Sequence, residues 1–272
     1  MEGRSAASGA RAGVHTVRPR ATAALERLRP SDQPEYPDEP FRLRLLGCFD
    51  LRVGDQIVTL PLNVRRLIVL LAVRERPQTR TRLAYTLWMD TTQSRATANL
   101  RSTLWKLGPQ RGQLVGCDGD RLRLAPHVSV DLTRVVAQAK RLIGPETDLP
   151  VDDIDVDELN NELLPDWDEE WLHDEREQLR QLRVHALEAL CCRLGNGGRG
   201  AEAVYAGQAA VTAEPLRESA QRVLISAHLA EGNLSEAHRQ FEIYRRLLWD
   251  NLQLPPSPEM TRLLAGALRA AQ

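Results

Sequence analysis

Hydrophobic positions along this chain change their period three times, and each change marks a boundary between kinds of element. Phe41, Leu43 and Leu45 alternate with Arg42 and Arg44, and Phe49, Leu51 and Val53 alternate again beyond Gly47. A period of two is that of a half-buried strand. Gly54-Asp55 supplies a tight turn into Ile57-Val58-Thr59, so residues 41–59 read as a small antiparallel sheet, which Pro61 ends. The period then lengthens to that of a helix. Leu67, Leu70 and Leu71, with Val64 beside them, predict a first helix over 63–75, with Asn63 as N-cap and Pro77 beyond its end. Leu83 and Leu87 predict a second over 79–88, capped by Thr79 and closed by Trp88 in the core. Leu100, Leu104 and Leu107 predict a third over 94–107. Ala96 and Thr103 flank its inner face, Ser94 or Thr92 caps it, and Gly108-Pro109 terminates it. Strand period returns in Leu114-Val115 and Leu122-Arg123-Leu124, joined across Asp118-Gly119, a strong hairpin signal.

Sheet, three helices and hairpin, in that order, describe a winged helix-turn-helix with an additional N-terminal sheet. In that architecture the third helix enters a major groove about 12 Å wide, and the hairpin lies over the neighbouring backbone or minor groove. The outer face of the third helix carries Ser94, Arg95, Arg101, Ser102, Trp105 and Lys106, and the helix contains no acid. A solvated helix usually mixes signs to gain i,i+4 pairs; an all-basic outer face suits a polyanion. Arg80 and Arg82 face outward from the second helix, and Arg121 and Arg123 belong to the hairpin. Trp105 either contacts a sugar or thymine methyl or packs beneath the hairpin, and the helical wheel leaves both open.

From Val130 the pattern is helical: 131–143, 174–195, 199–212, 215–231, 234–250 and 257–270. Glu202-Ala203 and Glu236-Ala237 lie 34 residues apart, each after a Gly-containing turn. That offset is the tetratricopeptide (TPR) period, although the Trp and Tyr signature is mostly absent. The fold class expected is therefore an α+β winged helix-turn-helix followed by an all-α, TPR-like helical domain. The expected divisions are a mostly disordered tail over 1–40, a DNA-binding domain over 41–127 and the helical domain over 128–272.

A net charge of −1 hides an asymmetry. Residues 41–125 hold 15 Arg/Lys against 6 Asp/Glu, whereas residues 126–272 hold 15 against 25. A basic half beside an acidic one fits nucleic-acid binding joined to another task. Residues 146–177 alone hold 15 acids and one arginine, Arg176, interleaved with Leu163, Leu164, Trp167, Trp171 and Leu172. Asp152, Asp153, Asp155 and Asp157 lack the Gly and terminal Glu of a calcium loop, so the stretch reads as a solvated charge run. Its expected role is domain packing and solubility, and it also raises the idea that acids fold back over the basic domain and mask it without DNA. No metal spacing, phosphate loop, nucleophile elbow or dinucleotide fingerprint is present, so neither an enzyme nor a cofactor is expected. Cys48, Cys117, Cys191 and Cys192 are expected to be reduced and buried in a cytoplasmic protein. No run reaches membrane-spanning length, and the N-terminus has no apolar signal region.

One set of motifs goes further. Phe41-Arg42-Leu43 leads to Leu46-Gly47, and Arg65-Arg66-Leu67 opens the first helix. Then come Leu87-Trp88-Met89-Asp90, Asn99-Leu100-Arg101, Leu104-Trp105-Lys106-Leu107 and Val130-Asp131-Leu132. Last is a block from Leu164-Pro165 through Trp167-Asp168 and Trp171-Leu172 to Glu175-Arg176 and Leu179-Arg180-Gln181-Leu182-Arg183. In this order the motifs resemble the SARP family, the Streptomyces antibiotic regulatory proteins, over about residues 41–270. These join an OmpR-type winged helix-turn-helix to a bacterial transcriptional activator domain (BTAD). The resemblance implies an activator of a secondary-metabolite gene cluster. It would bind promoter direct repeats near the −35 region as side-by-side copies and recruit RNA polymerase holoenzyme. It also implies base reading by Arg101, Ser102, Trp105 and Lys106. Lys106 stands where the family typically has arginine, giving a point charge in place of a bidentate fork, so Arg101 becomes the best reader of a guanine edge. Arg80, Arg82 and Arg95 are then phosphate contacts, and Arg121 and Arg123 serve the wing. On the residues alone two other readings stay open: a repressor with the same DNA chemistry, and a TPR-like scaffold whose basic domain docks on an acidic partner.

Overall fold

Two small sheets and a row of helices make up the computed structural model, which describes residues 41–108, 111–144 and 151–270. The tail expected over 1–40 lies outside the described residues. β1 (Phe41–Arg44) and β2 (Asp50–Val53) pair antiparallel, with Leu43 opposite Leu51, and their alternating residues are buried as the sequence predicts. Gly54 adopts a positive φ of 57°, and β3 (Gln56–Ile57) follows directly. α1 (Leu62–Arg74) begins one residue before Asn63; Pro61 occupies the N-cap and no side chain caps the helix. Asn63 is thus the second residue of the helix and not its cap. α1 is the most apolar element of the N-terminal region, burying every residue from Leu67 to Ala72. It ends at Glu75, which has a positive φ of 52°, two residues before Pro77.

β4 (Gln78–Thr79) leads into α2 (Arg80–Leu87), and the Thr79 hydroxyl accepts from the Arg82 amide at 3.3 Å, the cap expected there. Trp88 is half-buried and not core. α3 (Gln93–Lys106) packs on α2 and α1 through Ala96, Leu100, Thr103 and Leu104. After the single turn of α4 (Arg111–Leu114) come β5 (Val115–Asp118) and β6 (Arg121–Leu124). Asp118 pairs with Arg121 across Gly119 (φ 59°), so the hairpin turns where Asp118-Gly119 placed it. The hairpin sheet has a third strand that periodicity did not show: β4 pairs with β6, in the order β4-β6-β5.

β7 (Ser129–Val130) joins the first sheet in parallel with β1, giving the order β3-β2-β1-β7. α5 (Asp131–Ile143) follows at once, and the Asp131 carboxylate accepts from the amides of Leu45 (2.9 Å), Leu46 (3.0 Å) and Leu132 (2.7 Å). A 3-10 turn (Val151–Asp153) and α6 (Val156–Asn160) precede α7 (Glu170–Asn196), whose 27 residues span about 40 Å. α7 starts four residues before the expected 174, so Trp171 and Leu172 are buried helix positions. α8 (Gly200–Ala213), α9 (Glu218–Ala230), α10 (Leu234–Leu252) and α11 (Pro258–Ala270) then pack each on its predecessor. Ala203 and Ala237, the repeat-related pair, are both fully buried. The last three helices close on Ile225, Phe241, Tyr244, Leu248, Met260 and Leu264.

Candidate nucleic-acid interface

The geometry of α3 follows from its two faces. Leu100 and Leu104 are 2% exposed, which fixes the helix by its inner stripe and turns the opposite side to solvent. Ser94, Arg95, Arg101, Ser102, Trp105 and Lys106 are all exposed, as the wheel placed them. Trp105 is 81% exposed, so it does not pack beneath the hairpin. Arg82 is exposed on α2, while Arg80 is half-buried. The Arg80 amide bonds to the Asp120 carbonyl at 3.0 Å, and its guanidinium lies 4.0 Å from the Cys117 sulfur, which ties the start of α2 to the hairpin turn. Arg121 and Arg123 flank the buried Leu122 and are both exposed, so they share the outer face of β6. The Arg123 stem lies over Gly116, where an added Cβ would meet it at 3.4 Å.

The cations of this surface have no carboxylate partners among the described residues: none of Arg82, Arg95, Arg101, Lys106, Arg121 and Arg123 is in an ion pair. Two arginines of α1 behave differently: Arg66 bonds Glu169 at 2.8 Å and Arg74 meets Glu175 at 2.6 Å. The acidic stretch does therefore dock on the N-terminal region. It docks on α1 and on the first sheet, where Trp167 stacks on Phe49 (5.9 Å) with Arg65 on the ring's reach at 5.6 Å, and it leaves the outer face of α3 uncovered. Leu164 N bonds Leu45 O at 3.0 Å, and Gly47 N bonds Glu162 O at 2.7 Å, which holds the same segment against β1.

The sequence did not single out Tyr85, which is 70% exposed on α2. It borders a cleft of about 480 Å³ between α2 and α3, lined also by Thr79, Arg82, Trp88, Gln93 and Thr97. Its signal was weak because a lone tyrosine among polar neighbours resembles any surface position. The cysteine expectation is corrected: Cys191 alone is buried, with its thiol pushed up to about 12 by burial, while Cys48, Cys117 and Cys192 are exposed. All four are unpaired. Among the described residues no cluster of His, Cys, Asp or Glu is placed to hold a metal, and no helix is long and apolar enough to cross a membrane.

A winged helix-turn-helix region with an uncompensated cationic third helix, followed by a helical-repeat region, is the architecture of a two-part bacterial transcription regulator. Residues 157–268 match the bacterial transcriptional activator domain. Over 217 residues, 76% of this chain, the sequence is 30% identical to the regulatory protein AfsR of Streptomyces griseus. The chain spans about a fifth of that relative's length, 22%. The structure of Mycobacterium tuberculosis EmbR, solved in complex with a low-affinity phosphopeptide, superposes with a TM-score of 0.67. That likeness covers 86% of this chain and 66% of the other at 20% identity, and it bears on the fold. Residues 157–268 thus carry a bacterial transcriptional activator domain, and the chain as a whole is similar to transcriptional regulators of the SARP type.

Proposed function

We propose that this protein is a sequence-specific DNA-binding transcriptional activator of a secondary-metabolite gene cluster. The observation that carries the reading is the outer face of α3, which is exposed, free of acids and without ion-pair partners among the described residues. A cation kept unpaired on a folded surface is available to displace counterions from a phosphate backbone. Arg101 reads a guanine edge, with Ser102, Trp105 and Lys106 completing the base-reading surface. Arg80, Arg82 and Arg95 hold phosphates, joined by the Tyr85 hydroxyl at the α2–α3 cleft, and Arg121 and Arg123 place the wing. We assign residues 41–127 to DNA binding and 128–272 to activation.

Copies bind side by side on direct repeats near the −35 region, with half-sites about one helical turn apart so that protomers share one face of the duplex. The helical region then recruits RNA polymerase holoenzyme, and the protein works in the cytoplasm on the nucleoid. Footprinting the purified protein on the promoters of its neighbouring genes, with competitor DNA at near-physiological salt, tests this. A protected tandem repeat abutting the −35 region is expected. Diffuse protection that competitor removes would reduce the basic region to non-specific binding and sink the proposal.

A further inference from the structure

His173, Arg176, Arg180 and Arg183 stand at i, i+3, i+7 and i+10 of α7, so they share one helix face. With Glu162, Leu163 and Glu177 they line a cleft of about 220 Å³. Two of the three guanidinium groups are committed. Arg176 donates to the carbonyls of Leu163 (2.8 Å), Trp167 (2.6 Å) and Leu164. Arg180 forks onto Glu177 at 2.8 and 2.6 Å and also pairs with Glu214. Bonds from Arg180 and then Gln181 hold the Glu177 carboxyl down to about 2, so that acid is spent on them.

Arg183 differs from both. It is 5% exposed, and among the described residues its one hydrogen bond runs from Nη2 to the neutral Asn160 oxygen at 3.3 Å and its Nε has no partner. Among the described residues it has no ion pair. Burial pulls its pKa down, Glu162 pulls it back at a distance, and Arg180 pushes it down further. A buried cation is costly unless something pairs with it, and a guanidinium does not escape by losing its proton. Each ordinary solution, a carboxylate partner or a fan of carbonyls, is given to its two neighbours and withheld from Arg183.

We propose that this cleft binds a small oxyanion, a phosphate or carboxylate group, on Arg183, with Arg180 and His173 at its mouth. The volume decides the size class. Pockets for drug-sized ligands run to roughly 300–1,000 Å³, so this one suits a small anion and not a nucleotide. The rim acid Glu162 opposes the anion and weakens binding. Its backbone belongs to the segment bonded to Gly47, so an occupied cleft bears directly on the link between the helical and winged regions.

The test uses the full chain without DNA, which keeps it independent of the DNA-binding reading. Thermal shift and calorimetry would titrate inorganic phosphate and malonate up to about 10 mM, a range that still detects a millimolar Kd. Sodium chloride matched in ionic strength is the control. A saturable rise in Tm beyond chloride is expected for at least one anion. Phosphate alone, malonate alone or both responding would define the headgroup. R183M is expected to weaken binding at least about tenfold. E162Q, at an exposed side chain, is expected to fold normally and tighten binding about threefold or more. No saturable response to either anion, or one unchanged in E162Q, would overturn the site. So would a response retained in a folded R183M.

Discussion

At single positions, burial and charge decide which substitutions touch the fold and which touch the DNA. Trp105 lies 81% exposed, so Trp105→Ala should leave thermal unfolding unchanged to within about 0.5 kcal/mol. Leu104→Ala, on the buried stripe of the same helix and 2% exposed, should cost about 2–5 kcal/mol. With DNA present the roles reverse. Arg101→Ala should weaken the specific site by about 1–3 kcal/mol while sparing random DNA, whereas Arg95→Ala should weaken both alike and lower the salt slope by about 1. Titrations of both DNAs at several salt concentrations measure this; equal loss on both from Arg101→Ala would make Arg101 a backbone contact. The outer face of α3 was legible because a helix fixes which residues share a side. What the wheel left open was whether another element covers Trp105, and that depends on contacts between residues far apart in sequence. The exposed Cys48, Cys117 and Cys192 were misplaced for the same reason: residue type gives average burial, and position in the fold gives the actual one.

Among elements, long periodic ones were readable and short ones were not. β4 and β7 are two residues each and have no period to show, yet each completes a sheet. The start of α7 was missed because a dense run of acids looks like loop, although acids in a helix's first turn sit well against its dipole. The repeat was legible because Ala203 and Ala237 have the same job, close helix contact, at the same offset. Close contact also makes Gly207 intolerant. A Cβ there would lie 3.1 Å from the Leu224 Cα and 3.2 Å from the Cys191 sulfur, between α9 and α7. Gly207→Ala should destabilise by about 1–3 kcal/mol, despite alanine's better helix propensity, in a denaturant titration. The end of the repeat depends on Glu218, whose carboxylate accepts from the Ser257 amide at 3.0 Å and the Tyr244 hydroxyl at 3.4 Å. Burial raises the Glu218 carboxyl, but the Ser257 and Tyr244 bonds and the Arg222 charge outweigh it and hold the group below its ordinary 4.5. Stability from this group is thus complete above the ordinary carboxylate range and is lost as pH falls through the depressed value. At the alkaline end, burial and then Glu218 push the Tyr244 hydroxyl up to about 12, so that contribution is complete below about 10 and is lost as pH approaches 12. Tm against pH should flatten on the acid side in Glu218→Gln; an unchanged acid limb would assign the pH dependence elsewhere.

Across the whole molecule, the charge asymmetry turns out to join the halves and not to mask one with the other. Glu169 and Glu175 of the acidic half take Arg66 and Arg74 of α1, away from α3. Raising salt should therefore leave protease access to α3 unchanged in the free protein, and a salt-dependent gain in cleavage there would revive masking. The stronger link is uncharged on one side. Asp131, the first residue of α5, accepts from Leu45 and Leu46 at the end of β1, two amides that no sheet partner reaches. Asp131→Ala leaves those donors unsatisfied and should cost about 1–3 kcal/mol. Because the Leu46–Leu163 bridge and the Arg66–Glu169 pair remain, unfolding should stay a single transition with an unchanged denaturant slope. Adding Glu169→Ala removes the carboxylate partner of Arg66 and of the Trp171 indole, bonded to it at 2.8 Å, and should separate the melting of the winged region from that of the helical region in calorimetry. If the double variant still melts in one step, then β7 beside β1 and the packing of Trp167 on Phe49 hold the halves together without either carboxylate.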